Sequence, residues 1–285
     1  MYGYSYIPLY NTYSSGVVPP SYLVDDYSPV EAFSMRKISS TATNAVRVRR
    51  DSDNAEQDIG FVGNDLDTAS LSSFVGANSA YVVTWYNQGT GGSSYDMTQT
   101  TAANQPRIVN AGTIKTTNSV TSIEFLYLND WYLQNAIAET TENNEVICVF
   151  EKTQGLAVTS VFSFYGGAAN KYRQIGNGIT ASNIGATVRN TSAYGAETPG
   201  ANNTQFLLGA YYKITDRSIY VNNAYITQNT TSSADFTTTG HYIGKTTAAG
   251  NSSSMNIQEV VRFTSVQTSD RTDINTNINS YYGIY

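Results

Sequence analysis

Six residues, Ala45 to Arg50 (AVRVRR), do most to fix what this chain can fold into. Val46 and Val48 alternate with Arg47 and Arg49, the period of a strand with one face in a core and the other in solvent. Asp51, Asp53, Glu56 and Asp58 cluster at and after its end, within reach of Arg47, Arg49 and Arg50, and read as a salt-bridge and turn network. Similar short runs of β-branched and aromatic residues recur between turn residues: Ala80 to Tyr86, Val146 to Phe150, Val161 to Tyr165, Phe206 to Lys213, Ser218 to Val221, Ala224 to Thr227, His241 to Lys245 and Asn256 to Phe263. Asn222-Asn223 suits a two-residue type I′ hairpin between two of them. Many short strands with turns between them predict a sandwich or barrel. The 23 tyrosines and the low charged fraction of 13% point the same way, because Tyr and Thr suit pleated surfaces and good helix formers are scarce. No repeat indicates a solenoid or propeller.

Two helices are predicted. Leu66, Ala69, Leu71 and Phe74 place one over Asp67 to Phe74. Ile274, Ile278 and Tyr281 place another over Asp270 to Tyr282, with Ser269 as N-cap and Gly283 as its stop. A terminal helix of this kind is expected to cover an edge or open end of the sandwich. Segments 88–105 and 228–256 read as long surface loops. Residues 1–24 differ from the rest: they hold six tyrosines in the first 22 positions, and Pro19-Pro20 enforces extended backbone. They read as an arm that packs on a partner or neighbouring subunit, ahead of a folded domain over 25–285.

The net charge of −6 excludes an electrostatic footprint for nucleic acid; Arg36-Lys37 and the Arg47/Arg49/Arg50 group are too short to provide one. Cys148 is the single cysteine and lies in an apolar run, so it reads as a buried hydrophobe, and no intrachain disulfide is available. One cysteine and one histidine, His241, cannot supply a zinc tetrad, and nothing places His241 in a nucleophilic triad. No secretion signal is legible at the start, and no apolar run approaches membrane-spanning length. Synthesis in a cytoplasm without membrane insertion is therefore expected. The sequons at Asn190, Asn202, Asn229 and Asn251 read as chance in an Asn/Thr-rich chain.

Four segments occur in order: AFSMRKISS (Ala32 to Ser40), VRVRRDSDNAEQDIGF (Val46 to Phe61), LDTASLSSFVG (Leu66 to Gly76) and YVVTWYNQGTGG (Tyr81 to Gly92). They resemble the N-terminal half of the arabinofuranosidase B catalytic domain. The same pattern resembles structural and tail-associated proteins of tailed bacteriophages, where it ends in a laminin-G-like half. YIGKTT (Tyr242 to Thr247), NIQEVVRF (Asn256 to Phe263) and SDRTDINTNINSYYGIY (Ser269 to Tyr285) resemble such an ending. The resemblance covers roughly residues 25–285. It implies an all-β, concanavalin-like (jelly-roll) β-sandwich with a short C-terminal helix and an extended N-terminal arm.

The departures bear on activity. A retaining glycosidase needs two carboxylates about 5–5.5 Å apart. The family's nucleophile follows a Tyr-Gly-Asn-Ala-like turn; the matching stretch here, Tyr165-Gly166-Gly167-Ala168-Ala169-Asn170, has no carboxylate. The family's acid lies in a Gly/Asn/Ser loop; here Ala249-Gly250-Asn251-Ser252-Ser253-Ser254 has none either. Family cysteines near Val75 and Ala80 are absent, and a family Asp is replaced by Asn87. The resemblance thus implies the scaffold without the reaction, a non-enzymatic protein. Were it a hydrolase nonetheless, Glu124, Glu145, Glu151 and Glu259 are the acids to test. Laminin-G-like sandwiches often carry calcium, for which Asp65 and Asp67, or Asp25 and Asp26, are the candidates; no other cofactor is expected.

Sugar binding needs aromatic faces and hydroxyl-bonding amides or carboxylates. Trp131, Tyr132 and Asp130 in one loop and Tyr165 and Tyr172 around another are the candidate residues. For Trp131, exposed stacking and burial both stay open, whereas Trp85 and Tyr86 read as core. The expected function is a virion structural or adhesion protein, exposed on the particle surface. Residues 1–24 would attach it to other virion proteins, and the sandwich would contact host surface polysaccharide, in a homo-oligomer and specifically a trimer. The alternatives are a glycoside hydrolase of arabinofuranosidase type and a decoration protein that binds no sugar.

Overall fold

The strand Asn144–Lys152 is paired antiparallel on both sides, with Thr204–Lys213 and with Met255–Phe263. In this computed structural model, which describes residues 22–139, 143–153, 160–168, 171–178, 180, 182–190, 192–213, 216–231, 236–247, 250–252 and 254–285, it is the central strand. Val146, Cys148 and Phe150 point into one core, Ile147 and Val149 into a second. Burial on both faces explains why this run reads as continuously apolar instead of alternating. Cys148 is buried and reduced, as its setting implied.

Beyond Thr204–Lys213 the first sheet continues through Asp216–Val221 to Ala224–Asn229. Asn222 and Asn223 both have positive φ, 50° and 65°, as the I′ turn between the last two requires. On its other side, Met255–Phe263 pairs with Glu31–Ser34 and Ile123–Phe125. The second sheet runs from Glu56–Val62 through Asn44–Arg50, Ala80–Trp85, Met97–Thr98, Leu133–Asn135, Gly240–Ile243, Ser160–Tyr165 and Lys171–Asn177 to Asn183–Asn190 and Ser192–Pro199. Arg107–Asn110 bonds to both Ala80–Trp85 and Ile123–Phe125, so hydrogen bonding passes without a break from one sheet to the other. The larger core fills the inside and includes Val46, Val48 and Trp85, with Trp85 tilted against Phe33 at 5.9 Å. This is the all-β sandwich the sequence predicts.

Two details differ from expectation at the C-terminus. The helix spans Arg271–Tyr282 with Asp270, not Ser269, at the N-cap; Gly283 closes it in the left-handed region. It also covers a face and not an edge or open end: Ile274, Ile278 and Tyr282 pack with Ile147, Val149, Val261 and Phe263. The other predicted helix is Thr68–Val75, where Asp67 caps the Ser70 amide at 2.9 Å. Segment 228–256 is less of a loop than its composition implies, since Gly240–Ile243, Lys245–Thr247 and Gly250–Ser252 are strands. Of the arm, residues 1–21 lie outside the described residues. Leu23 and Val24 begin a short helix, Leu23–Tyr27, and sit in the second core.

The motif residues explain themselves locally. Arg47 pairs with Asp58 and Arg50 with Asp53, while Arg49 bonds neutral groups, Asn54 and Gln105. Asn87 accepts from the amides of Ala32 (2.7 Å) and Gly89 (3.0 Å) and donates to the carbonyls of Val30 and Gly92. A Cβ at Gly89 would lie 2.7 Å from the Val30 carbonyl, so the glycine permits this close approach.

At one end of the interior the two sheets meet through charge. Arg262 of the first sheet bonds Glu31 and, at 2.7 and 2.9 Å, Glu139; Glu31 also meets His241 Nδ1 of the second sheet at 3.1 Å and Asn135 at 3.0 Å. Glu31, His241 and Arg262 have no solvent exposure. Burial pushes the Glu31 carboxyl up, but His241 and Arg262 beside it outweigh that and hold it at about 2, below its ordinary 4.5. A depressed carboxyl contributes stability that is complete above its unfolded value and lost as pH falls through the folded one. The Glu31 contribution should therefore erode from pH 4.5 toward about 2. Glu31→Gln should lower stability at neutral pH by about 3–5 kcal/mol and flatten the acid limb, read as denaturant midpoints across that window.

Candidate carbohydrate-binding face

Residues directly opposite in an antiparallel pair share a face of the sheet. In the second sheet, Leu133, Ile243, Phe162 and Phe164 point into the core. Their neighbours therefore point outward. Thr98, Gln134, Tyr242 and Ser163 lie opposite one another in turn and form a row across four strands. Beside that row is an open groove of about 260 Å³ lined by Thr98, Gln134, Tyr165, Thr239 and Tyr242.

Tyrosine dominates the groove. Tyr242 meets Tyr165 edge-on at 5.7 Å and Tyr132 at 5.8 Å. Burial, then the neighbouring phenols of Tyr132 and Tyr165, push the Tyr242 hydroxyl upward, so it stays neutral and both donates and accepts. Lys245 lies over the Tyr132 ring at 4.1 Å and pairs with Asp130 at 2.8 Å. The cation and anion nearest the tyrosines thus neutralise each other. Aromatic edges with hydroxyl and amide groups, and no charged side chain in the lining, suit a polyol more than an ion.

Of the residues singled out from sequence, the fold gathers Asp130, Tyr132 and Tyr165 around Tyr242. Tyr172 lies opposite Tyr165 in register but is buried, 3% exposed. Trp131 turns to other partners: 5% exposed, it meets Tyr81 edge-on at 5.8 Å and lies under Arg107 at 5.4 Å. Neither lines the groove, and of the two readings open for Trp131 the structure shows burial. Tyr242, Gln134 and Thr98 were missed. Tyr242 carries a signal, since it alternates with His241 and Ile243, but the register that aligns the three does not appear in any one segment.

The four glutamates proposed for a hydrolase are each engaged. Glu124 holds Arg107 and Lys115. Glu145 holds Arg271 at 2.5 and 2.8 Å. Glu151 accepts from Thr117 and Asn256. Glu259, without exposure, accepts from Arg36, Ser34 and Tyr282. A different carboxylate contrast lies at the Tyr86 loop. Asp58 is pulled down, chiefly by its bonds from Arg47, and accepts the Tyr86 hydroxyl at 2.7 Å. Asp96, half-buried, is pushed up by burial and lines a depression of about 350 Å³ with Tyr86 and Asn87. The stretches matched to the family's acids fall partly outside the described residues, at 169–170, 249 and 253.

For calcium, Asp65 and Asp67 both border one shallow depression, but Asp67 caps its helix and Asp65 accepts from the Tyr281 hydroxyl at 2.7 Å. Asp25 accepts from Ser39 and Ser40. Among the described residues no three His, Cys, Asp or Glu side chains converge.

No protein-family model matches the chain, and no curated protein does. Solved structures do. A GH54 α-L-arabinofuranosidase soaked with a cyclic sulfate inhibitor overlays with a TM-score of 0.67 at 13% identity, covering 90% of this chain and 64% of that one. An arabinofuranosidase complexed with arabinofuranosyl-alpha-1,2-xylobiose gives 0.67 at 14% identity, covering 92% and 65%. This chain therefore spans less than two thirds of either enzyme's length. The likeness establishes a shared sandwich fold and goes no further.

If Glu259 is a structural partner of Arg36, neutralising it leaves a buried guanidinium without its counter-charge. Glu259→Gln is expected to cost about 3–5 kcal/mol in a denaturant titration.

Proposed function

We propose that this chain is a non-enzymatic glycan-binding sandwich carried on a virus particle. The observation that carries the binding half is the uncharged groove of Tyr165, Tyr242, Gln134 and Thr98 on the open face of the second sheet. The fold, shared with arabinofuranosidases, supports a carbohydrate ligand; one of those enzymes is seen with arabinofuranosyl-alpha-1,2-xylobiose. The non-enzymatic half rests on the carboxylate-free stretches matched to the family's acids and on the engagement of Glu124, Glu145, Glu151 and Glu259. The particle location, surface exposure and attachment to other virion proteins through residues 1–24 rest on the resemblance to tail-associated proteins and on the tyrosine-rich start of the chain; a homo-oligomer, and a trimer among these, follows only from the symmetry of such particles. Calcium is a proposed accessory ion, which the assay tests by adding and chelating it.

A hydrolase reading keeps one specific observation: the Asp58 carboxyl, which accepts from the Tyr86 hydroxyl, is pulled down, while the Asp96 carboxyl, in a depression that Tyr86 also lines, is pushed up.

The deciding assay is a glycan panel with purified full-length protein, scoring retention and sugar release, with and without calcium. Retention without release is expected. Tyr165→Ala, at a half-buried position, should weaken retention about tenfold, the scale of a lost aromatic contact, with thermal unfolding little changed. Release that Asp96→Asn abolishes would replace this reading with the hydrolase. Neither retention nor release would leave a decoration protein whose partner is another particle protein. Deletion of residues 1–21, which spares Leu23 and Val24 of the second core, should abolish incorporation into particles; unchanged incorporation would remove the anchor.

A further inference from the structure

Tyr132 packs on Tyr242 of the groove, whereas the adjacent Trp131 lines a second depression. The one on the Trp131 side is the roomier, about 430 Å³, lined by Arg49, Asp51, Tyr81, Ala102, Asn129 and Trp131. Tyr81 lies opposite Arg49 on one neighbouring strand and opposite Arg107 on the other. The guanidinium of Arg49 lies 5.2 Å from the Tyr81 ring centre, and that of Arg107 lies 5.4 Å from the Trp131 ring. The result is an interleaved ladder of arginine and aromatic rings that stiffens one wall.

Arg49 differs from its neighbours in sequence. Of the five arginines before residue 110, Arg36, Arg47, Arg50 and Arg107 each hold a carboxylate. Arg49 holds none among the described residues. Its Nε donates to Gln105 at 2.7 Å, Nη1 to Asn54 at 2.9 Å and Nη2 to the Ala102 carbonyl at 3.4 Å. A guanidinium has five N–H groups, so two remain undonated. Asp51, in the same lining, accepts from the Ser79 amide at 3.2 Å and has no cationic partner among the described residues. Asn129 adds an exposed amide. A cation with spare donors and an anion with spare acceptors, unpaired with each other beside an aromatic wall, match a neutral ligand rich in hydroxyls. An anionic ligand would meet Asp51, and a cationic one Arg49.

The geometry points to this depression as a second sugar subsite, distinct from the tyrosine groove. Arg49 donates to hydroxyl oxygens, Asp51 accepts hydroxyl protons, and the Tyr81 and Trp131 rings form the apolar wall. It takes neutral sugar units, and it stands or falls separately from the groove.

The chain carries its own reporter. It has two tryptophans: Trp85 is sealed in the core and Trp131 lines this depression. The full-length protein would be titrated with neutral and acidic oligosaccharides from two to six units, reading tryptophan emission beside calorimetric heat. A saturable emission change with a neutral oligosaccharide is expected. It should vanish in Trp131→Phe and persist in Tyr165→Ala. Asp51→Asn, which keeps the Ser79 bond, and Arg49→Lys should each weaken it about tenfold, the loss of one charge-assisted hydrogen bond. Calorimetric binding that leaves emission unchanged and depends on Tyr165 overturns the second subsite while leaving the groove intact. Response to acidic oligosaccharides alone overturns the neutral assignment. No emission response to any member at its highest soluble concentration also overturns the subsite.

Discussion

The guanidinium of Arg262 ties the two sheets together from within, and the groove on the outside depends on it. Its partner Glu31 reaches His241 and Asn135 on the opposite sheet. His241 is followed by Tyr242, and Asn135 is preceded by Gln134. In a strand, neighbours face opposite ways. The clamp therefore fixes, on the inner side, the same two strands whose outer side presents Tyr242 and Gln134. A slip of one residue would put His241 in solvent and Tyr242 in the core, so the buried charges also enforce register. The arrangement has a cost: His241 Nε2 is buried without a hydrogen-bond partner. Three fully buried ionisable groups are poor stabilisers compared with a packed apolar core, but they specify one alignment.

Because hydrogen bonding runs from sheet to sheet, the sandwich has one inner face and one outer face. The inner face is apolar almost throughout. The fate of the outer face differs by region. Over the central strand it is closed by Arg271–Tyr282, which makes the second core. Nearby, Thr116–Thr117 and Val120–Thr121 form a small hairpin whose Thr117 reaches Glu151 and Gln258. Over Ser160–Tyr165, the strand Lys245–Thr247 crosses so closely that Ser163 donates to the Lys245 carbonyl at 2.7 Å. The tyrosine groove and the Arg49 depression lie on parts of the surface that these elements leave open. The loop that carries Trp131 and Tyr132 also carries Leu128, which is 90% exposed.

How much of this was legible in the sequence depends on range. Alternation over Ala45–Arg50, the Asn222-Asn223 turn, the Asp67–Phe74 helix and the Gly283 stop are local, and each is read correctly within a residue or two. The helix N-cap was misplaced by one because Ser269 and Asp270 are both good caps. The terminal helix was assigned an edge because nothing in its own stripe of Ile274, Ile278 and Tyr281 says what it meets; the matching apolar residues, Ile147 and Val149, lie more than a hundred positions away. The site divides the same way. Asp130, Tyr132 and Tyr165 were singled out because aromatic residues in polar loops are visible. Trp131 and Tyr172 look no different in sequence, but they turn inward or aside. Gln134 and Thr98 are ordinary residues until register lines them up with Tyr242.

The hydrolase and the binding readings make opposite demands on carboxylates. Catalysis needs two that share one substrate bond, one poised to donate and one to attack or activate water. Glu124, Glu145 and Glu259 are instead drawn toward arginine or lysine, and Glu151 toward the Thr117 hydroxyl and the Asn256 amide, which holds them in fixed positions as acceptors. Among the described residues only Asp96 keeps a raised carboxyl in a depression, and Asp58, which is pulled down, is clasped by Arg47 and Tyr86. Freeing Asp58 to attack would break a bidentate ion pair and a phenol bond. Binding asks for nothing to move. The groove tyrosines are braced edge-to-face, and Lys245 is already neutralised by Asp130. On the ladder, Arg49 and Asp51 retain bonding capacity without rearrangement. A surface whose polar groups are held in place and left partly undonated is pre-organised for a hydroxyl-rich ligand, and that, more than the fold's likeness to arabinofuranosidases, favours recognition over reaction.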